Sequence, residues 1–236
     1  MALTGTLVNG FAIILGTLLG LFFRNIPEKF KETVLQAVAL AILLMGLDMA
    51  LQVNYIIFVI IALMVGGMIG EVLKLEAKFN KCGEMIAKLI HSGQMQLKIT
   101  QGFITASLIF VVGAMAIIGA LDSGLRHDHD LLFIKSILDG FTALVLTTTL
   151  GFGVGLSAIP VVLYQGAIAL TATRIHQWIP DLLLDEWIIE ITSTGGLLIV
   201  AIALNMLGLT KIRIANLIPA LVVVSILLVG YHILIS

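Results

Sequence analysis

The sequence predicts an all-α fold, a polytopic membrane bundle of about eight transmembrane helices. Of the 236 residues, 60% are hydrophobic and only 11% are charged, and the mean hydropathy is +1.15. Soluble domains carry about 25% charged residues, so a chain this apolar cannot cover its surface with polar groups and its solvent must be lipid. The apolar runs are long and do not alternate with polar residues, which favours helices over a membrane β-barrel.

Eight apolar runs are long enough to cross a bilayer, whose core requires roughly 20 residues per helix. These runs are Gly5–Phe23, Thr33–Leu51, Tyr55–Leu73, Ile99–Leu121, Leu131–Leu150, Val154–Ile175, Ile189–Gly208 and Ile212–Ile235. The stretch Thr147–Pro160 is the weakest boundary, and it is either a tight turn or a break inside a longer, discontinuous segment. We expect residues 1–236 to form a single integral membrane domain.

Residues 72–92 are predicted to form an amphipathic helix that lies along the membrane surface. Apolar side chains recur at three- and four-residue steps between Val72 and Leu89, and four lysines occupy the other positions. This pattern is typical of a helix in the headgroup plane with its lysines towards anionic lipid. A shorter stretch, Gln177–Trp187, brings two tryptophans and a proline to the opposite interface.

The distribution of basic residues predicts the orientation of the chain. With eight spans, ten of the 13 Lys and Arg residues collect on one side of the membrane and three on the other. Because cytoplasmic loops are enriched in Lys and Arg, both termini are predicted to face outward in a bacterial cytoplasmic (inner) membrane.

Three short matches predict an internal repeat. Leu7-Val8-Asn9-Gly10 resembles Leu163-Tyr164-Gln165-Gly166, Ile26-Pro27-Glu28 resembles Ile179-Pro180-Asp181, and Leu47-Asp48-Met49 resembles Leu204-Asn205-Met206, with offsets of 156, 153 and 157 residues. The repeats would cover about 5–73 and about 154–235, and the central helices at 99–150 would have no repeat partner. Since the two repeats enter the membrane from opposite sides, the repeat is predicted to be inverted, as in many secondary transporters.

Six segments spread over nearly the whole chain carry long, specific motifs. They are Gly5–Asn9, Gly102–Leu108, Val112–Leu121, Lys135–Gly140, Ser157–Gly166 and Thr194–Leu207. In these segments the sequence resembles the bacterial membrane family catalogued as domain of unknown function 554. The resemblance implies a multi-pass inner-membrane protein of a family that is usually described in terms of transport, with no established substrate.

Polar side chains inside the predicted spans are the candidate functional residues, because polar groups in a bilayer are costly. Lys135 and Asp139 are four residues apart and therefore lie on one helix face. They form either a purely structural ion pair or a substrate- or ion-binding site. Asn9 and Gln165, at matching repeat positions, and Asn205 are amides that either join helices by hydrogen bonds or contribute to the site.

Two segments that combine hydroxyl groups with glycines add further candidates. Thr149 and Ser157 lie in the first segment, Thr147–Ser157, and the second segment is Thr192–Gly196. Unwound helix segments expose backbone groups that bind carboxylates or dehydrated cations. The alternative interpretation is that the small residues only permit close helix packing.

The remaining ionisable residues are interpreted as interfacial or solvated. Asp48 and Glu190 are expected in water near the outward ends of their spans, and Glu71 at the inner face. The run from His127 to Asp130 is predicted to be a solvated loop rather than a metal site. The single Cys82 excludes an intramolecular disulfide and a cysteine-rich metal site. Since no other metal-binding or catalytic motif is present, no metal ligand and no catalytic residue is predicted.

These observations predict a secondary transporter of a small solute or ion, with the lipid bilayer and that solute as partners. No cofactor is expected beyond H⁺ or Na⁺ as a coupling ion. The alternative is a structural or regulatory membrane protein without a transported substrate. An enzyme is not expected, because the sequence contains no nucleophile motif or phosphate-binding loop, and no filter sequence favours a channel. The net charge of −1 gives no indication of nucleic-acid binding, and glycine-rich faces are compatible with a homo-oligomer.

Overall fold

The computed structural model describes residues 2–22, 28–78, 81, 95–112, 114–178 and 181–235, and the regular structure of this part is entirely helical. The helices are α1 (Thr4–Phe22), α2 (Glu28–Ala50), α3 (Ile56–Leu73), α4 (Met95–Val111), α5 (Ala114–Leu125), α6 (Asp130–Leu150), α7 (Gly153–Leu156), α8 (Ala158–Trp178), α9 (Asp181–Met206), α10 (Ile214–Leu217) and α11 (Pro219–Ile235). The predicted all-α class is confirmed.

Six helical segments among the described residues are long and apolar enough to cross a membrane. They are Thr4–Phe22, Ile56–Leu73, Asp130–Leu150, Gly153–Arg174, Leu183–Met206 and Ile214–Leu234. A seventh span results if α4 and α5, which are bent by 60° relative to each other, are counted as one. Residues Gln36–Ala50 of α2 form a shorter apolar helix.

Two predicted spans differ from the helices that form. The predicted span Ile99–Leu121 corresponds to two helices, α4, which ends at Val111, and α5, which begins at Ala114. Helix α9 begins at Asp181, eight residues before the predicted start at Ile189. Two carboxylates in its N-terminal part, those of Glu186 and Glu190, have partners inside the protein, as described below.

The stretch 147–160 contains a tight turn. Helix α6 ends at Leu150, and Gly151 has a φ of +75°, which glycine adopts without the steric cost of a Cβ atom. The single turn α7 and helix α8 then follow and together form one span. Of the two candidate descriptions of this stretch, the turn is therefore correct.

Most of the surface helix predicted at 72–92 lies outside the described residues. Within it, Lys74 ends α3 in a left-handed conformation with a φ of 52°, and residues 75–78 are helical. The predicted interfacial stretch Gln177–Trp187 is helical where it is described, at the end of α8 and the start of α9.

The chain divides into two compact units. Unit 1 comprises Met1–Val38, Asn80–Val111 and Met115–Gln177, and unit 2 comprises Ala39–Phe79, Val112–Ala114 and Trp178–Ser236. Within unit 1, α1 packs along α6, and α7 packs against α1, α4 and α6. Within unit 2, α3 packs along α11, and α9 packs against both. The single membrane domain stays a prediction.

Small residues bring α1 and α6 into close contact. The buried face of α1 carries four glycines, two threonines, Asn9 and Ile13, whereas Phe11 and Phe22 on other faces are 66% and 83% exposed. A Cβ atom added to Gly16 would overlap the backbone carbonyl group of Gly140. Small residues at such positions are what allows transmembrane helices to approach closely.

Gly16→Ala is therefore expected to destabilise the protein by about 1–3 kcal/mol, the usual cost of overpacking. The matched control is Gly230→Ala in α11, where an added Cβ would meet no described atom within 4 Å. There alanine, a better helix former than glycine, should be neutral or stabilising by up to about 1 kcal/mol. Thermal unfolding of the two purified variants in detergent measures the difference. Equal stabilities would contradict the close α1–α6 contact.

Candidate functional site

Four polar side chains from three helices of unit 1 meet in a buried cluster, hereafter the polar cluster. Asn9 lies on α1, Lys135 and Asp139 on α6, and Gln165 on α8. Their exposed fractions are 0% for Asn9 and Gln165, 7% for Lys135 and 6% for Asp139. These are four of the seven residues that the sequence nominates as candidate ligands.

The carboxylate of Asp139 is the centre of the polar cluster. The Lys135 Nζ atom lies 2.9 Å from its Oδ1 and 2.8 Å from its Oδ2. Asn9 Nδ2 donates to Asp139 Oδ2 at 3.0 Å and to Gln165 Oε1 at 3.3 Å. The charges of Lys135 and Asp139 compensate each other, which offsets part of the cost of burying an ionised group.

Glycines next to the amides let α1 and α8 approach at the polar cluster. A Cβ atom at Gly10 would collide with the Val162 side chain, and one at Gly166 would lie 3.5 Å from Leu3 and 3.9 Å from Thr6. Asn9 and Gln165, each one residue before its glycine, are thereby held within hydrogen-bonding distance. The geometry thus follows from the pairing of an amide with a glycine on both helices.

The polar cluster contains hydrogen-bonding groups that have no partner among the described residues. They are the Asn9 Oδ1 atom and the Gln165 Nε2 atom, both fully buried. The hydroxyl group of Thr6, which precedes Asn9 by three residues on α1, is also fully buried and has no partner among the described residues. Buried polar groups normally have partners, so each exception requires an explanation. The sequence analysis missed Thr6; its position three residues before Asn9, on the same helix face, was the available signal.

The other hydroxyl candidates make local hydrogen bonds. Thr149 Oγ1 donates to the Leu146 carbonyl at 3.0 Å, and Ser157 Oγ donates to the Val154 carbonyl at 2.6 Å. Within the described residues, neither side chain bonds to the polar cluster. The structure therefore places both in local backbone contacts around the turn at Gly151.

Asn205, the last candidate ligand, belongs to unit 2 and holds a loop. Its Nδ2 donates to the Ile212 carbonyl at 2.8 Å, and its Oδ1 accepts from Thr210 Oγ1 at 2.7 Å and from the Ile212 N–H at 2.9 Å. This side chain closes the connection between α9 and α10, so a structural role accounts for all of its contacts.

The expectation that Glu190 lies in water is wrong, since this side chain is fully buried in unit 2. Its Oε1 accepts the backbone N–H groups of Asn54 and Tyr55, both at 2.9 Å, just before α3 begins. A carboxylate is stabilised at a helix N-terminus by these free N–H groups and by the helix dipole. Because this cap joins residues that are far apart in the chain, the pattern of charged residues along the sequence does not reveal it.

Another acid on α9, Glu186, contacts Tyr55, just before α3, and His232, in the last turn of α11. Its Oε2 accepts the Tyr55 hydroxyl at 3.2 Å and lies 2.8 Å from His232 Nε2. Desolvation raises the pKa of Tyr55, and the adjacent Glu186 carboxylate raises it further. Asp48 and Glu71 are exposed, and Glu71 pairs with Arg213 at 2.7 Å; their interfacial location stays a prediction.

Comparison with known proteins identifies the family. Residues 4–229 match the family described as "Protein of unknown function (DUF554)". The chain belongs to this family. The resemblance found in the sequence motifs is thereby confirmed for nearly the whole chain.

Two relatives align over almost their full length with this family member. One is the "Uncharacterized membrane protein YdfK" of Bacillus subtilis (strain 168), 31% identical over 233 residues, which are 97% of this chain and 96% of the relative. Another is the "Uncharacterized protein YqgA" of Escherichia coli (strain K12), 28% identical over 221 residues, 92% of each chain. No solved structure matches the chain. The relatives and the apolar helices together establish a multi-pass membrane protein.

Variants of the ion pair should reveal its contribution to stability. Lys135→Met leaves the Asp139 carboxylate buried without its counter-charge, which costs about 3–5 kcal/mol for a buried pair in a folded protein. The double variant Lys135→Met/Asp139→Leu removes both charges and should recover most of that loss. Thermal unfolding in detergent of Lys135→Met, Asp139→Leu and the double variant gives the coupling energy between the two side chains. Additive losses would show that the two side chains do not stabilise each other.

Proposed function

We propose that this protein is a secondary transporter of a small solute or ion, with the polar cluster of unit 1 as its binding site. The supporting observation is the meeting of a charged pair and two amides from three helices, with hydrogen-bonding groups left unpartnered. Ionisable residues inside transmembrane segments commonly mark substrate and ion pathways. Asp139 is the group that carries the coupling ion, H⁺ or Na⁺.

The proposal includes eight spans arranged as an inverted repeat, and contacts between α1 and α8 support it. Asn9 and Gln165, which are bonded to each other, are 156 residues apart and therefore equivalent in the repeat. A Cβ atom added at Gly10 would meet Val162, and one added at Gly166 would approach Thr6. Gly166 is 156 positions after Gly10, and Val162 is 156 positions after Thr6, so the two contacts are equivalent in the repeat. Such reciprocal contacts are expected where a two-fold axis passes between two equivalent helices.

The direction of the helices supports the inverted arrangement. Along α1 the contacts advance from Thr6 to Gly10, while along α8 they go back from Gly166 to Val162, so the two helices cross in opposite directions. In unit 2, Gly66 contacts Ala220 and Gly70 contacts Asn216, so α3 and α11 are also antiparallel. Antiparallel equivalents are what a two-fold axis in the membrane plane produces.

The alternative function is a structural or regulatory membrane protein that transports nothing. The charge balance of Lys135 and Asp139 and the close glycine contacts of α1 and α6 favour it, since both stabilise a packed bundle without a ligand. The unpartnered groups of the polar cluster favour transport, because a structural cluster gains nothing from buried donors and acceptors that have no partners. Transport activity therefore separates the two functions.

Asp139→Asn is expected to abolish coupled transport while the protein stays folded and monodisperse. The amide keeps the shape and one acceptor for Asn9, but it can no longer exchange a proton or balance a cation. The assay is solute-dependent proton or sodium flux in vesicles containing purified protein, screened over small carboxylic acids, amino acids and inorganic cations. The matched control is Asp128→Asn, the same change at an exposed position of unit 1. Flux that survives in Asp139→Asn would remove Asp139 from the mechanism.

The proposed orientation, in the bacterial inner membrane with both termini outward, is testable by cysteine labelling. In a Cys82→Ser background, Lys81→Cys should be protected from a membrane-impermeant maleimide added to intact cells. Arg126→Cys, at another exposed position, should react. The reason is the excess of basic residues on the Lys81 side of the predicted topology. The opposite labelling pattern would invert the topology.

A further inference from the structure

We propose that the polar cluster binds a small monocarboxylate anion together with one proton. This inference rests on the proposed function, because it names the solute class and the coupling ion of the same site. In the structure, Lys135 Nζ holds both carboxylate oxygens of Asp139, at 2.9 and 2.8 Å. When a proton from water bonds to an Asp139 oxygen, that carboxyl group loses its charge, and Lys135 is released to pair with the carboxylate of the anion.

Charge balance favours an anion with a proton over a lone ion. The polar cluster holds one cation, Lys135, one anion, Asp139, and the neutral amides of Asn9 and Gln165. An ion that enters alone gives this buried group a net charge, which is costly where water is excluded. An anion and a proton together leave the net charge at zero. The resulting transport step is electroneutral.

The unpartnered groups match a ligand that accepts hydrogen bonds. The Gln165 Nε2 atom carries two N–H donors, and Thr6 carries one O–H donor. Lys135 adds three N–H donors once it leaves Asp139. A carboxylate only accepts hydrogen bonds, through about four lone-pair positions, so it can use this surplus of donors. A solute rich in donors, such as an ammonium group, would meet mostly donors here.

Asn9 suits both protonation states of Asp139. Its Nδ2 donates to the charged carboxylate at 3.0 Å, and its Oδ1 has no partner among the described residues. Rotation of the amide brings an acceptor to the position of the donor, since the two ends of an amide have nearly the same shape. The O–H of a protonated Asp139 can then donate to Asn9 Oδ1. The Gln165 amide has to rotate as well, so that its Nε2 donates to Asn9 Oδ1 in place of the bond that Gln165 Oε1 accepted from Asn9.

Few other titratable groups lie on the helices around the polar cluster. Neither α1 nor α7 has one, Asp122 on α5 pairs with Arg126, and Asp130 lies in the first turn of α6. The remaining groups are Tyr164 next to Gln165, Lys98 on α4, and Arg174 and His176 near the C-terminal end of α8. Asp139 is the only carboxylate in the described hydrogen-bonded set, so its amide variant isolates the response to protons.

The test measures binding of sodium formate and sodium acetate to the full-length protein in detergent by thermal shift. Sodium gluconate, the salt of a larger, hydroxylated anion outside the proposed class of small solutes, replaces the test salt in the reference samples and keeps the sodium concentration constant. For wild type, the affinity for formate should fall by up to about tenfold per pH unit between about pH 5.5 and about pH 7.5, because one proton binds with each anion. Asp139→Asn should bind formate with no dependence on pH. Lys135→Met should lose binding at both pH values, and Asp128→Asn should behave like wild type.

A second measurement uses wild type alone, in case a variant does not fold. In weakly buffered solution with a pH indicator dye, formate should cause uptake of one proton per anion bound. Formate binding without proton uptake, or with equal pH dependence in wild type and Asp139→Asn, would overturn the coupling. The anion class would be overturned if sodium salts stabilised the protein more than the corresponding choline salts, or if another solute stabilised it and formate and acetate did not. Either result would leave the proposed transport site standing. The absence of any stabilising solute, with no flux in vesicles, would defeat the proposed function itself.

Discussion

The ionised carboxylate of Asp139, buried in a transmembrane helix, is the constraint on which unit 1 depends. A charge in this position needs a counter-charge and hydrogen-bond donors. Lys135 supplies the first from one turn away on the same helix. Asn9 supplies the second from a helix 130 residues away in sequence, which requires α1 to lie against α6. The glycines at the α1–α6 contact, such as Gly16 and Gly140, make that approach sterically feasible.

Unit 2 meets the same constraint with different groups. Glu186 and Glu190 of α9 have no lysine among their hydrogen-bond or ion-pair partners in the described residues. Glu190 is compensated by two backbone N–H groups before α3, and Glu186 by the Tyr55 hydroxyl and His232. These contacts hold the start of α3 and the end of α11 against α9, so they fix helix ends. Buried side-chain atoms without a partner among the described residues occur in both units, at Glu190 Oε2 in unit 2 and at Asn9 Oδ1 and Gln165 Nε2 in unit 1. Those in unit 1 lie on side chains hydrogen-bonded next to the buried ion pair of Lys135 and Asp139, which is why the ligand site is proposed there.

The proposed repeat illustrates how a weak sequence signal acquires a physical meaning. Matches of three or four residues suggest equivalent positions but say nothing about contact. The hydrogen bond between Asn9 and Gln165 gives one of these equivalences a location, at the crossing of α1 and α8. Two amides that face each other across such a crossing cannot both be satisfied by one shared bond, because each has a donor and an acceptor. Paired, near-symmetric amides thus leave unused groups where a ligand can bind.

Composition and local spacing are enough to predict part of this protein. The helical class, the apolar spans and the Lys135–Asp139 pair follow from hydropathy, segment length and the four-residue spacing, none of which requires a distant partner. Four features became apparent only in the folded chain: Glu190 is buried, Asn205 closes a loop, the Thr6 hydroxyl is buried without a partner among the described residues, and α4 and α5 form a bend. The burial of Glu190 depends on residues far apart in the chain, that of Thr6 on which helix face is covered, and the role of Asn205 on the path of the loop that follows it. The sequence shows a polar residue in each case, but the partner that sets its cost and its role comes from packing.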